Sequence, residues 1–323
     1  MLTHIFWCGG TGPEDSMDAE QPDISSTDDA GVVDFKAAPI RARRIKFSYP
    51  QGSMNRHYVS DDLIMSHVVS MLSSVFPEGE DFFIRSVKYY KDEIANATLR
   101  AQVDGFIGQE ATHGREHREI NEHLQEMGYP TRINDRLTKR ALAMIYRHAP
   151  HKFSLAMTAG LEHYTATLAS LLLTNTEARA LLTSDEVRGL LLWHAYEEVE
   201  HKAVAFDVYR TIGGSEALRI GTMRGIHITF LGLVTVSTLA SMLTDRATYN
   251  PARLLRSVAA MRTNPWINRD VLRELGTYTR RGFHPSDNPT DYLLKTWRSE
   301  LFGDQGILTD NLVGGRQRRS DRC

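Results

Sequence analysis

Two segments of the chain place a glutamate and a histidine three residues apart: Glu110-Ala-Thr-His113 and Glu198-Val-Glu-His201. Side chains three or four apart on a helix share a face, so each pair offers a carboxylate and an imidazole to one place. The flanking residues say which place. Stepping by three or four around the first pair gives Leu99, Val103, Phe106, Glu110, His113, His117, Ile120 or Asn121, and Leu124. Around the second it gives Leu191, His194, Glu198, His201, Ala205 and Val208. Both stripes carry apolar residues on either side of the pair, which aims both pairs at a core. Glu197, four before His201, competes with Glu198; the three-residue spacing is the one di-iron carboxylate bundles use and favours Glu198.

One Glu-x-x-His is usually a solvated accident, but two on separate core stripes call for a shared cation. A dinuclear bundle also needs one glutamate from each of two further helices. Glu80, in step with Phe83, Val87 and Ile94, and Glu162, in step with Leu155, Ala159, Ala166, Ala169 and Leu173, supply them. Glu80 has a bland competitor: with Glu78 it could complement the positive end of a helix dipole. Buried unpaired carboxylates cost several kcal/mol each and repel one another. No lysine or arginine lies on the stripes beside them. The expectation is two metal ions held by Glu80, Glu110, His113, Glu162, Glu198 and His201. This oxygen-rich mixed set suits iron first, then iron–manganese or manganese. His117, His163, His194 and Glu197 are expected next to the ligands rather than on the metals. Glu116, Glu119, Glu122 and His123 phase onto solvated faces.

Such a constellation needs long helices to hold it. Helical periodicity starts near residue 60 and predicts a helix ended by Pro77, then one over about 79–96. Further helices are expected over about 99–127, stopped by Gly128-Tyr129-Pro130, and over 134–148, 152–174, 185–212 and 216–245. Two or three short helices follow. The chain therefore reads as all-α, a four-helix bundle core with additional C-terminal helices, in one metal-binding domain over about 39–310. Residues 1–38, rich in Asp, Ser, Gly and Pro after Gly12, read as a disordered tail, and 311–323 as a flexible one. Between the tail and the first helix, Ile40 to Pro50 reads as a lead-in strand or extended arm.

These motifs resemble a bacterial family of predicted metal-dependent hydrolases. The resemblance is carried by Arg43-Arg-Ile-Lys-Phe-Ser-Tyr-Pro50, Phe76-Pro-Glu-Gly-Glu-Asp-Phe-Phe83, Phe106-Ile-Gly-Gln-Glu-Ala-Thr-His113 with Arg115-Glu-His117, Leu161-Glu-His163, Trp193-His-Ala-Tyr-Glu-Glu-Val-Glu-His-Lys202 and Phe283-His-Pro285. It spans about Ile40 to Phe302. It implies a ferritin-like di-iron carboxylate bundle and places the same six residues in the ligand roles. It supplies no substrate.

The rest of the sequence narrows the function. Of 323 residues, 41% are hydrophobic and 24% charged, with a formal net charge of −2; that balance gives no reason to expect a nucleic-acid partner. The two cysteines, Cys8 and Cys323, form no Cys-x-x-Cys pair, which argues against a disulfide framework or a zinc ribbon. There is no basic, then apolar N-terminal signal, so a cytoplasmic location is expected. No Gly-x-Ser-x-Gly elbow, phosphate loop or His-Glu-x-x-His zinc motif appears. The segment 225–243 carries no formal charge over 19 residues. It reads as a helix packed on the bundle, with peripheral membrane contact as the competing reading. The leading functional expectation is O2-activating oxidation of an apolar, lipid-like substrate, with an external electron donor; homodimerisation is compatible with it. A metal-dependent hydrolase and a non-catalytic iron-binding protein are the alternatives.

Overall fold

The computed structural model describes residues 40–314; the expected tail over 1–38 and most of the C-terminal tail lie outside the described residues. The chain is all-α. Its helices are α1 (Leu63–Lys88), α2 (Ala97–Glu126), α3 (Thr131–His148), α4 (His151–Thr174), α5 (Thr176–Ala180), α6 (Asp185–His201), α7 (Val204–Thr211), α8 (Glu216–Leu243), α9 (Pro251–Ala260), α10 (Arg269–Thr277) and α11 (Asp291–Phe302). Among the described residues the extended contacts are isolated bridges, Ile45 with Leu312 and Val59 with Leu182, and there is no strand.

Short polar side chains start four of the long helices. Asp62 accepts from the Met65 amide, Asn96 from Leu99, Ser184 from Val187 and Ser215 from Leu218, each relieving one of the unpaired donors of a first turn. Helix α1 packs on α2 and α3, while α4 packs on α6, α7 and α8. Contacts of α1 with α4 and of α2 with α6 close the four around a common interior.

The helix expected to stop at Pro77 does not stop. A proline removes one backbone donor and leaves the carbonyl four residues earlier unpaired. That carbonyl, on Ser73, accepts instead from the Asn121 side-chain amide at 2.8 Å. Helix α1 therefore runs through, and Glu80 sits well inside it rather than at a helix start. The expected helix over 185–212 is, conversely, broken. Helix α6 ends on His201, and Lys202–Ala203 separate it from α7.

Residues 40–47 form an extended arm laid along α2. Glycines make room for it: a Cβ at Gly105 would collide with the Ile40 carbonyl, and one at Gly108 would come within 2.7 Å of the Ala42 Cβ. The Phe47 amide donates to Glu116 Oε2 at 2.9 Å. Glu116, expected in solvent, is thus buried, and Arg115 pairs with its other oxygen. Glu119 and Glu122 are exposed as expected, and His123 is half-buried against Tyr49. Residues 311–313 of the expected C-terminal tail dock on the same arm, through Lys46 N to Asn311 O and Val313 N to Arg44 O.

Helix α8 is long and apolar enough to cross a membrane by length and composition, and 22% of its apolar window is buried. Its inner face packs on α4, where Gly160 admits the Ile226 side chain. Ile228, Leu231, Val236 and Leu239 lie on the outer side and are exposed.

Candidate metal centre

Helices α1, α2, α4 and α6 each send one carboxylate inward: Glu80, Glu110, Glu162 and Glu198, all at most 3% exposed. Helices α2 and α6 add His113 and His201, equally buried. The six converge. His201 Nε2 lies 3.2 Å from Glu110 Oε1, 3.4 Å from Glu162 Oε2 and 3.6 Å from Glu198 Oε2. His113 Nδ1 lies 3.5 Å from Glu110 Oε1 and 3.7 Å from Glu198 Oε1. Glu110 and Glu198 therefore stand between the two imidazoles, with Glu80 on the His113 side and Glu162 on the His201 side. Gly114 allows this on α2, since Glu80 Oε2 would lie 3.1 Å from a Cβ there.

Most of these atoms have no hydrogen-bond partner. Both oxygens of Glu80, Glu110 and Glu162, Glu198 Oε2, His113 Nδ1 and His201 Nε2 are buried and unsatisfied. Each such group costs about 1–3 kcal/mol, and more when charged, so proteins rarely leave them so. Nine at one spot fit cations: they are oxygen and nitrogen donors at coordination spacing, facing one another across a common interior. Glu110, Glu198 and His201 form one group whose ligand atoms lie within 4.8 Å of one another, and Glu80, Glu110 and His113 form a second.

Electrostatics without a cation are correspondingly strained. Burial pushes the Glu162 carboxyl up to about 8, and the charges of Glu198 and Glu110 push the same way. Burial also takes Glu110 to about 8, with His201 opposing, and raises Glu80 well above the carboxylate range. Glu198 goes the other way: against burial, the His201 charge holds it well below its ordinary value. Burial lowers His201, but Glu198 and Glu162 outweigh it and lift the ring well above the imidazole range.

The outer nitrogens of the two imidazoles are held by a single hydrogen-bonded circuit. Glu197 Oε2 lies 3.1 Å from His113 Nε2, and Arg43 donates to Glu197 Oε1 at 2.8 Å. Arg43 also donates to both Glu200 oxygens, at 2.8 and 3.0 Å. Gln109 donates to Glu200 Oε2 at 2.6 Å and accepts, through Oε1, from His201 Nδ1 at 2.8 Å. Such partners fix ring orientation and tautomer for ligation. Glu197 thus stands beside His113. Arg43, Gln109 and Glu200 are not among the candidates drawn from the two core stripes. The arm has no periodicity to betray Arg43, whereas Gln109, one residue before Glu110, was open to the same phasing argument.

His117 and His194 lie at the His113 end. His194 Nε2 is 2.8 Å from Glu198 Oε1 and 3.7 Å from Glu80 Oε1, and its Nδ1 is 2.8 Å from His117 Nε2. His163, expected near the metals, turns away: its Nε2 donates to the Glu274 carbonyl at 3.0 Å, and its ring packs on Tyr278 and Phe283. One residue after Glu162 on a helix points about 100° off. With Lys202, Thr167, Glu274 and Arg280 it lines a separate recess of about 410 Å³. Phe106, Phe76 and Trp193 ring the cluster, their centroids 4.9 Å from His201, 5.0 Å from His194 and 4.9 Å from His113 respectively.

Comparison with known proteins agrees with this centre at the level of family. Residues 41–289 match a family described as predicted metal-dependent hydrolase. The match takes in all but the first residue of the arm, the four helices that carry the inward carboxylates and the segment that buries His163. No curated protein and no solved structure matches the chain. The chain belongs to the predicted metal-dependent hydrolase family.

Proposed function

We propose that the chain is a hydrolase using two metal ions held by Glu80, Glu110, His113, Glu162, Glu198 and His201. The carrying observation is the set of nine buried, unsatisfied donor atoms converging from four helices; the family match supports hydrolysis. Bound cations would supply Lewis acidity and lower the pKa of water. The chain's own residues do the rest. Glu197 and Gln109 aim the imidazoles, the carboxylates offset the cationic charge, and Phe76, Phe106 and Trp193 keep bulk water off. The test is activity against ester, amide and phosphoester panels after loading with zinc or manganese without oxygen. Turnover lost in Glu110→Ala supports the reading; turnover unchanged in that variant overturns it.

One observation favours a second reading. Four carboxylates outnumber the imidazoles, and such oxygen-rich sets suit iron and manganese. On this reading an iron centre activates O2 and oxidises an apolar organic substrate, with an electron donor. Anaerobic loading with iron(II) followed by air separates the two: stoichiometric O2 uptake with an oxidised product favours the second, and none favours hydrolysis.

A further inference from the structure

The continuous helix at Pro77 fixes more than a backbone. The Ser73 carbonyl only accepts, so the Asn121 group facing it at 2.8 Å is the amide NH2. That leaves Asn121 Oδ1 to accept from the Ser73 hydroxyl at 2.7 Å. With its one proton committed, Ser73 Oγ accepts from His117 Nδ1 at 2.9 Å. A neutral His117, protonated on Nδ1, presents a bare Nε2. It therefore accepts from His194 Nδ1 at 2.8 Å. A neutral His194 in turn carries its proton on Nδ1 and a lone pair on Nε2.

That lone pair points at carboxylates, 2.8 Å from Glu198 Oε1 and 3.7 Å from Glu80 Oε1. A lone pair facing a carboxylate oxygen repels unless something positive lies between. His194 Nε2 is also grouped with His113 and Glu198, all their ligand atoms within 4.8 Å of one another. Donors in one coordination sphere stand up to about 4.3 Å apart, twice a metal–ligand bond, and the His194–Glu198, His194–Glu80 and His113–Glu198 separations of 2.8, 3.7 and 3.7 Å lie inside that reach. His117 is spent on its two hydrogen bonds and is not itself a donor to the site.

The geometry points to His194 as a seventh ligand, its Nε2 binding the cation shared by Glu80 and His113. The inference rests on the two-metal reading above. It makes the centre lopsided: His113 and His194 serve one cation, and His201 alone serves the other. An imidazole replacing a carboxylate or water raises the softness of one position only, so the two cations differ in affinity. The chain Asn121–Ser73–His117 is then a positioning device that turns the His194 lone pair inward, much as carboxylates and carbonyls orient metal-binding imidazoles elsewhere.

The test is cobalt(II) loading of the full chain, with metal analysis and proton NMR. Each metal-bound imidazole shows one exchangeable, paramagnetically shifted N–H resonance. Wild-type protein should bind two cobalt ions and show three such resonances. His194→Ala should lose one resonance and weaken one of the two cobalt ions by at least tenfold, leaving the other unchanged. His117→Ala, which removes the positioning bond but not the ligand, should keep three resonances. Two resonances in wild-type protein holding two cobalt ions would overturn the seventh ligand and leave the two-metal reading intact. Failure of the wild-type protein to bind cobalt stoichiometrically would overturn both.

Discussion

Two buried clusters in this chain hold imidazoles against carboxylates, and they are built to opposite rules. In one, His57, His67 and Asp245 meet where the loop before α1 packs on the end of α8. Asp245 Oδ2 takes bonds from Arg56, His57 and His67 at 3.0, 2.9 and 3.2 Å, and Oδ1 takes the Ala247 amide at 2.9 Å. Arg253 donates to His57, and His67 Nδ1 bonds Ser241. Burial pushes the His67 ring down to about 4. Every polar atom has a partner and two arginines supply the countercharge. In the other, four carboxylates and two imidazoles leave nine atoms unsatisfied, and the nearest arginine of the circuit, Arg43, reaches only as far as Glu197. In both clusters three side chains bring nitrogen and oxygen donors within 4.8 Å of one another. Satisfaction separates them: the first is an ion network tying helices together, and the second has the unsatisfied donors that a cation would fill.

Single substitutions should pull the two apart. Glu110→Ala and His201→Ala should each abolish binding of at least one metal, measured by metal analysis after gel filtration. Asp245→Ala should keep both metals and lose stability by about 3–5 kcal/mol, read by denaturant unfolding, because it strands Arg56 and two imidazoles. Metal loss in Asp245→Ala, or none in Glu110→Ala, would break the distinction.

Removing metal with a chelator should act on one cluster only. A ligand at about a thousand times its dissociation constant stabilises by about 4 kcal/mol, so the melting temperature of wild-type protein should fall by on the order of 10 °C. The same chelator should not shift a variant lacking Glu110 and His201. The positioning circuit comes next in size. Gln109→Ala and Arg43→Ala should weaken metal affinity by about 10- to 100-fold, measured by competition with a chromogenic chelator, while leaving two sites.

The smallest effect is on pH. In metal-free protein, folded Glu110 and Glu162 keep their protons up to about 8, whereas unfolded carboxyls release them near ~4.3. His201 is likewise held protonated above its unfolded value. As pH rises from about 6.5 to 8, the folded state gives up protons that the unfolded state has already lost, so stability falls. Burial lowers the rings of His67, His117, His163 and His194, which works in the opposite sense, but below about 6.5. Metal binding strengthens over the same rise, because its ligands bind deprotonated. The gap in melting temperature between loaded and metal-free protein should therefore widen from pH 6.5 to 8; a constant gap contradicts the shifts.

The helical repeat made the inward carboxylates legible, since spacing of three and four is a local rule that a core does not disturb. Glu80, Glu110, His113, Glu162, Glu198 and His201 all converge. What stayed hidden depends on distant partners. Pro77 reads as a stop unless Asn121, far along the chain, takes up the Ser73 carbonyl. The buried Glu116 needs the arm's Phe47 amide to make sense, and Arg43 lies in a segment with no period at all. His163 shows the converse limit, since adjacency in sequence to Glu162 places it on another face.

Metal content decides the central claim most directly. Protein expressed without added chelator, desalted and analysed for all first-row metals, should carry close to two metal ions per chain. Glu110→Ala and His201→Ala should both lower that number. Wild-type protein with well under one ion per chain after reconstitution, or both variants retaining two, would contradict it.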